Sequence, residues 1–93
     1  MMVRPLDLQA VQAFILIAEL GSFTHAAEAM GTTQAAVSLK LKRLEDRLGC
    51  RLVERTPRHV ELSARGAAFL DHARQLVEAH ERALSGMPSA IAL

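Results

Sequence analysis

The amino-acid sequence predicts a mainly α-helical fold: a three-helix core, a small two-stranded wing and a long last helix. Three observations carry this. Of 93 residues, 51% are hydrophobic but only 3% aromatic, with alanine and leucine dominating the apolar set, a composition that favours helix. Residues 23–44, FTHAAEAMGTTQAAVSLKLKRL, read as a short helix, a tight turn and a second helix. Residues 52–62 then hold two short extended segments around Thr56-Pro57-Arg58. Together these make a winged helix-turn-helix.

The first helix is expected over residues 6–20, with Pro5 at its start, Asp7 near its positive end and Gly21 closing it. Leu8, Val11, Ile15 and Ala18 form one stripe, and Phe14, Leu16, Ile17 and Leu20 add apolar surface outside it. A helix apolar over more than half its girth needs cover on two sides. It is either a central core helix or one covered in part by another subunit. In the turn that follows, Ser22 or Thr24 is the N-cap and Phe23 a staple against the core.

Within the helix-turn-helix, Ala26, Ala27, Ala29 and Met30 carry the first helix. Gly31 stands where a helix end enters the left-handed region, and Thr32 and Thr33 supply a hydroxyl cap for the second helix. Val37, Leu41, Leu44 and Leu48 form one inward seam. Ala35, Ser38, Leu39 and Lys42 fall outward, with Gln34 in the exposed first turn. Small alanines let two helices cross closely, and the start of the second can enter a major groove. There a glutamine can bond adenine, and small apolar groups can touch a thymine methyl. The same pair would also suit a helical bundle whose polar face is merely solvated.

Gly49 ends that helix, and Cys50 is expected as a small buried side chain. In the wing, strands are expected around residues 52–54 and 60–62, with Val60 and Leu62 inward and Glu61 outward. Its basic tip, Arg55 and Arg58, would reach phosphates or a narrow minor groove; the alternative is a surface hairpin with solvated arginines. Ser63 caps the last helix, expected over residues 64–84. Phe69, Leu76 and Ala83 lie on one line and Leu70, Val77 and Leu84 on the next, with Ala73 between. An amphipathic helix of this length can outrun its own core and pair with a copy of itself. Ser85-Gly86-Met87-Pro88-Ser89 then breaks it. The chain thus divides into a winged domain at residues 1–62, a linker or dimerisation helix at 63–85 and a hinge at 86–93.

Charge is unevenly spread. The formal net charge is only +1, yet eight of eleven basic residues lie between positions 40 and 65. A localised basic surface is the footprint of phosphate binding. Other chemistry is thin. One cysteine excludes an internal disulfide, and no run is long enough to cross a bilayer. No signal peptide is visible, so the chain reads as soluble and cytoplasmic. His25, His59, His72 and His80 lack metal-ligand spacing, and the serines near histidines lack a third, orienting group and a pocket for a substrate. No catalytic residue, metal or cofactor and no small-molecule site is expected.

The run GSFTHAAEAMGTTQAAVSLKLKRLEDRLGCRLVERTPRHVELSARGAAFL, residues 21–70, resembles the DNA-binding domain of LysR-type transcriptional regulators. The likeness lies in GSFT-x-AA-E, Q-x-x-V-S, L-E-x-x-LG and L-x-ER-T, and continues through the first and last helices. The resemblance implies a bacterial, nucleoid-associated transcription factor. It implies a homodimer joined through the last helix, with a higher oligomer open to the full-length protein, on an interrupted palindromic operator of double-stranded DNA. It places Gln34, Ala35 and Ser38 at base edges, Thr33 as cap and phosphate ligand, and Arg58 at the wing tip with Arg55 nearby. The family's C-terminal effector-binding domain has no counterpart here, so inducer response is not expected within these residues. Three positions depart from the family's habit: Leu39 replaces a common arginine, Ala35 a serine or proline, and Lys40 a frequent glutamine. Leu39 either touches a thymine methyl or is neutral, with Lys40 or Lys42 supplying the charge. The competing function is a helical protein-interaction module without sequence-specific readout.

Overall fold

A computed structural model describes residues 5–56 and 59–87. The elements run α1 (Leu8–Leu20), α2 (Phe23–Met30), α3 (Gln34–Leu48), β1 (Val53–Arg55), β2 (Val60–Leu62) and α4 (Ala64–Ser85). Each helix opens on a side-chain cap. Asp7, Ser22, Thr33 and Ser63 accept from the amides of Gln9, His25, Ala36 and Gly66 respectively. Such caps satisfy amides that have no partner within the helix, at about 1 kcal/mol each.

α1 begins two residues later than the sequence suggested. Asp7 caps it from outside, and Pro5 precedes the cap, its carbonyl accepting from Arg47 Nη2 at 2.9 Å. Its buried face also differs from the expected stripe. Ala10, Val11, Ala13, Phe14 and Ile17 are buried, whereas Leu8, Ile15 and Ala18 are only half-buried. α1 is the central core helix, packed by α2, α3, α4 and β2. Phe14, Ile17, Leu52, Val11 and Val37 are the largest fully buried side chains, each contributing roughly 1.5–3 kcal/mol on burial.

The wing is an antiparallel pair with Val53 opposite Leu62, Glu54 opposite Glu61 and Arg55 opposite Val60. Its first strand lies one residue later than expected. Leu52 is fully buried, and its carbonyl accepts from Ser63 N at 2.9 Å in continuation of the register, while its amide turns out of the ladder to Glu45. Val60 and Leu62 are half-buried with Glu61 exposed between them, as the alternation predicted. Cys50, expected buried, is half-buried beside the helix end.

α4 docks by its first half. Phe69 lies beside Phe14 with ring centroids 5.7 Å apart, Ala73 is fully buried and Val77 half-buried. From Glu78 to Met87 every residue is exposed. No helix among the described residues is long and apolar enough to cross a membrane.

Candidate nucleic-acid interface

The turn between α2 and α3 fixes how the second helix is presented. Gly31 has φ +68°, and the chain doubles back through Gly31 N to Glu28 O at 3.1 Å and Thr32 N to Ala27 O at 2.9 Å. That pair of bonds is a Schellman close, for which a residue without Cβ is favoured. Thr33, rather than Thr32, then caps α3, its Oγ1 accepting from Ala36 N at 3.1 Å. The first turn of α3 is exposed, with the positive end of its dipole at the surface.

Val37, Leu41 and Leu44 are buried and Leu48 half-buried, which turns Gln34, Ala35, Leu39 and Lys42 to the surface. Leu39 is 48% exposed. Lys42 pairs with Asp46 at 3.7 Å, but both side chains are about 70% exposed, so the pair holds by a few tenths of a kcal/mol and yields readily to a phosphate. Gln34 is held from α2, its Oε1 accepting from Thr24 Oγ1 at 3.2 Å. Lys40 turns away from this face, donating to Gln9 of α1 at 3.1 Å. Lys42 remains on the exposed side of the helix one turn beyond Leu39.

Ser38 and Arg55 are brought together. Arg55 reaches from β1 across to α3, donating from Nη2 to Ser38 Oγ at 2.7 Å. Its guanidinium carbon lies 3.7 Å from the centre of the Phe23 ring, a cation–π contact that also ties the wing to α2. The wing is rooted a second time by Glu45, whose Oε2 accepts from Leu52 N at 2.8 Å and Val53 N at 3.2 Å. Sequence reasoning missed this carboxylate. The signal was the acid one turn before Gly49, just ahead of a segment whose first amides lack ladder partners. At the turn, Thr56 N donates to His59 O at 2.9 Å and His59 N to Thr56 Oγ1 at 3.0 Å. Arg58 lies outside the described residues.

The start of α3, with Gln34, Ala35, Leu39 and Lys42 exposed, thus stands beside a wing that Arg55 braces against Ser38. Comparisons with known proteins identify the family. The model of the "bacterial regulatory helix-turn-helix protein, lysR family" matches residues 8–67. An SDS degradation transcriptional activation protein of Pseudomonas sp. is 46% identical over 78 residues, 84% of this chain and 25% of that protein. Among solved structures, the complex of the CbnR DNA-binding domain with DNA has a TM-score of 0.81 at 34% identity, covering 85% of this chain and 91% of that one. Vibrio fischeri DarR in complex with DNA has a TM-score of 0.85 at 32% identity, covering 89% of this chain and 28% of that one. The chain spans between about a quarter and two fifths of the length of the curated relatives it matches. By its fold and by these likenesses, the chain belongs to the LysR family of bacterial regulatory helix-turn-helix proteins, which are transcription regulators and not enzymes.

Proposed function

We propose that this chain binds double-stranded DNA sequence-specifically, as the reading head of a dimeric transcription regulator acting at the nucleoid in the cytoplasm. The observation that carries the reading is the exposed first turn and outer face of α3, with Ala35 and Leu39 at the surface and an arginine-bearing strand braced beside them. In this reading the start of α3 enters the major groove, where Gln34, Ala35, Ser38 and Leu39 meet base edges. Thr33 and Lys42 meet phosphates, and the wing with Arg58 lies over the neighbouring backbone or minor groove. The exposed half of α4, with Leu84 63% exposed, supports pairing with a second copy, so that two reading heads address two half-sites. The relatives solved on DNA, CbnR and DarR, support the same partner.

Selection from a random duplex pool by the 93-residue chain, at two salt concentrations, tests this. The expected result is enrichment of an interrupted palindrome, with affinity falling steeply as salt rises. Binding without enrichment would reduce the surface to a phosphate-binding one, and no binding would move the function to protein interaction.

A further inference from the structure

Arg55 is the one cation among the described residues seated simultaneously on α2, by its ring contact, and on α3, by its hydrogen bond. The direction of that bond is unambiguous, because a guanidinium has donors only. Ser38 must accept, and at 2.7 Å it does so through a charge-assisted bond that occupies one of its two lone pairs. No other described residue bonds the Ser38 hydroxyl. Repulsion from the guanidinium disfavours turning the hydroxyl's own hydrogen towards Arg55, which leaves it to donate elsewhere. A serine hydroxyl ordinarily reads donors and acceptors alike; this one is biased.

The geometry points to Arg55 as a positioning residue that fixes the Ser38 hydroxyl as a hydrogen-bond donor, so that Ser38 selects a base with a major-groove acceptor and rejects cytosine. Guanine offers N7 and O6, thymine O4 and adenine N7, whereas cytosine offers only its amino donor. An amino group brought to this oxygen would meet the guanidinium charge beside the occupied lone pair. Neighbouring Leu39 has no polar group with which to compensate. The inference rests on the DNA-reading function proposed above, and it gives Arg55 a part in specificity although it need touch no base.

The test is selection from randomised duplexes with the 93-residue chain and its variants Ser38→Ala, Arg55→Met, Arg55→Lys and the Ser38→Ala/Arg55→Met double. The wild type should disfavour cytosine about five- to tenfold at one position of each half-site, the worth of a single base contact. Ser38→Ala should flatten that position alone. Arg55→Met should admit cytosine there, and Arg55→Lys, another pure donor, should restore the exclusion. In the double variant the Arg55 change should add nothing at that position. A variant Phe23→Leu, which removes the ring under the guanidinium while keeping its charge, should weaken the exclusion in part and serves if Arg55→Met loses its helical circular dichroism. The proposal is overturned if Arg55→Met lowers affinity equally at all positions, or if Phe23→Leu leaves the exclusion intact. A wild type that enriches an operator tolerant of cytosine everywhere overturns this inference alone. One that enriches no sequence overturns the DNA-reading function with it.

Discussion

Single residues at the α3 surface divide into those legible from spacing and those fixed by tertiary contact. Gln34, Ala35, Leu39 and Lys42 were placed outward by the four–three–four recurrence of the seam, and they are exposed. Ser38 was placed with them, yet it is half-buried because Arg55 covers its oxygen from seventeen positions away; no periodicity links an α3 residue to a strand beyond a glycine. Lys40 was a candidate to supply charge beside Leu39 and instead bonds Gln9, a contact set by how α1 crosses α3. Leu39 itself, half-exposed on the outward face of α3, is suited to a thymine methyl. Replacing it, as Leu39→Arg, should shift the preferred base at the facing position from thymine to guanine, with discrimination of roughly 1–3 kcal/mol. The same random-duplex selection checks this; an unchanged base profile would make Leu39 neutral. Thr33→Ala should cost about 1 kcal/mol in urea unfolding through the lost cap on Ala36 N, whereas Thr32→Ala, which caps nothing, should cost much less.

At the scale of elements, one-sided helices were legible and the central one was not. α3 has a single apolar seam, so its period identifies the buried face. α1 is apolar over most of its girth and is covered by three helices and a strand, so its sequence cannot say which stripe lies deepest. The shift of β1 has a tertiary origin too: Leu52 looks like strand and its carbonyl keeps the register with Ser63, but its amide is taken by Glu45 of α3. Glu45 should therefore hold the wing in register against α3. Glu45→Ala leaves two part-buried amides unpartnered and should lower stability by about 2 kcal/mol. Hydrogen exchange at Leu52 and Val53 should speed up with it, and Glu45→Gln, which keeps an acceptor, should lose less. A change under about 0.5 kcal/mol would mean water serves those amides equally well. Gly66 marks the other contact between wing and helix. A Cβ there would overlap the carbonyl oxygen of Leu52 and come within 2.9 Å of its carbonyl carbon. Alanine gains about 1 kcal/mol in helix propensity over glycine, but the obstructing atoms are backbone and cannot swing aside. Gly66→Ala should therefore lower the melting temperature by several degrees, where propensity alone would raise it.

For the whole molecule, the question is what the outer half of α4 is for. A 22-residue helix is about 33 Å long, and only its first half is needed to cover Phe14 and close the core. Beyond Val77 it carries Leu84, 63% exposed, while Leu76, 40% exposed, lies just before. These are two of the positions whose sevenfold spacing suggested self-pairing, and the domain itself does not cover them. A dimer formed there would leave both α3 surfaces free, since α4 and the start of α3 are not packed on one another. Leu76→Glu combined with Leu84→Glu should then leave the fold intact, because surface changes of this kind usually stay within about 0.5 kcal/mol. It should convert the chain to a monomer in sedimentation at concentrations where the wild type is dimeric. Affinity for a duplex with two half-sites should fall to that for one half-site, because the second binding event loses the effective concentration that linkage supplies. Affinity for a single half-site should stay unchanged. If the doubly substituted chain still sediments as the wild type does and still gains from a second half-site, the pairing surface lies elsewhere, and the exposed leucines of α4 must face something other than a second copy.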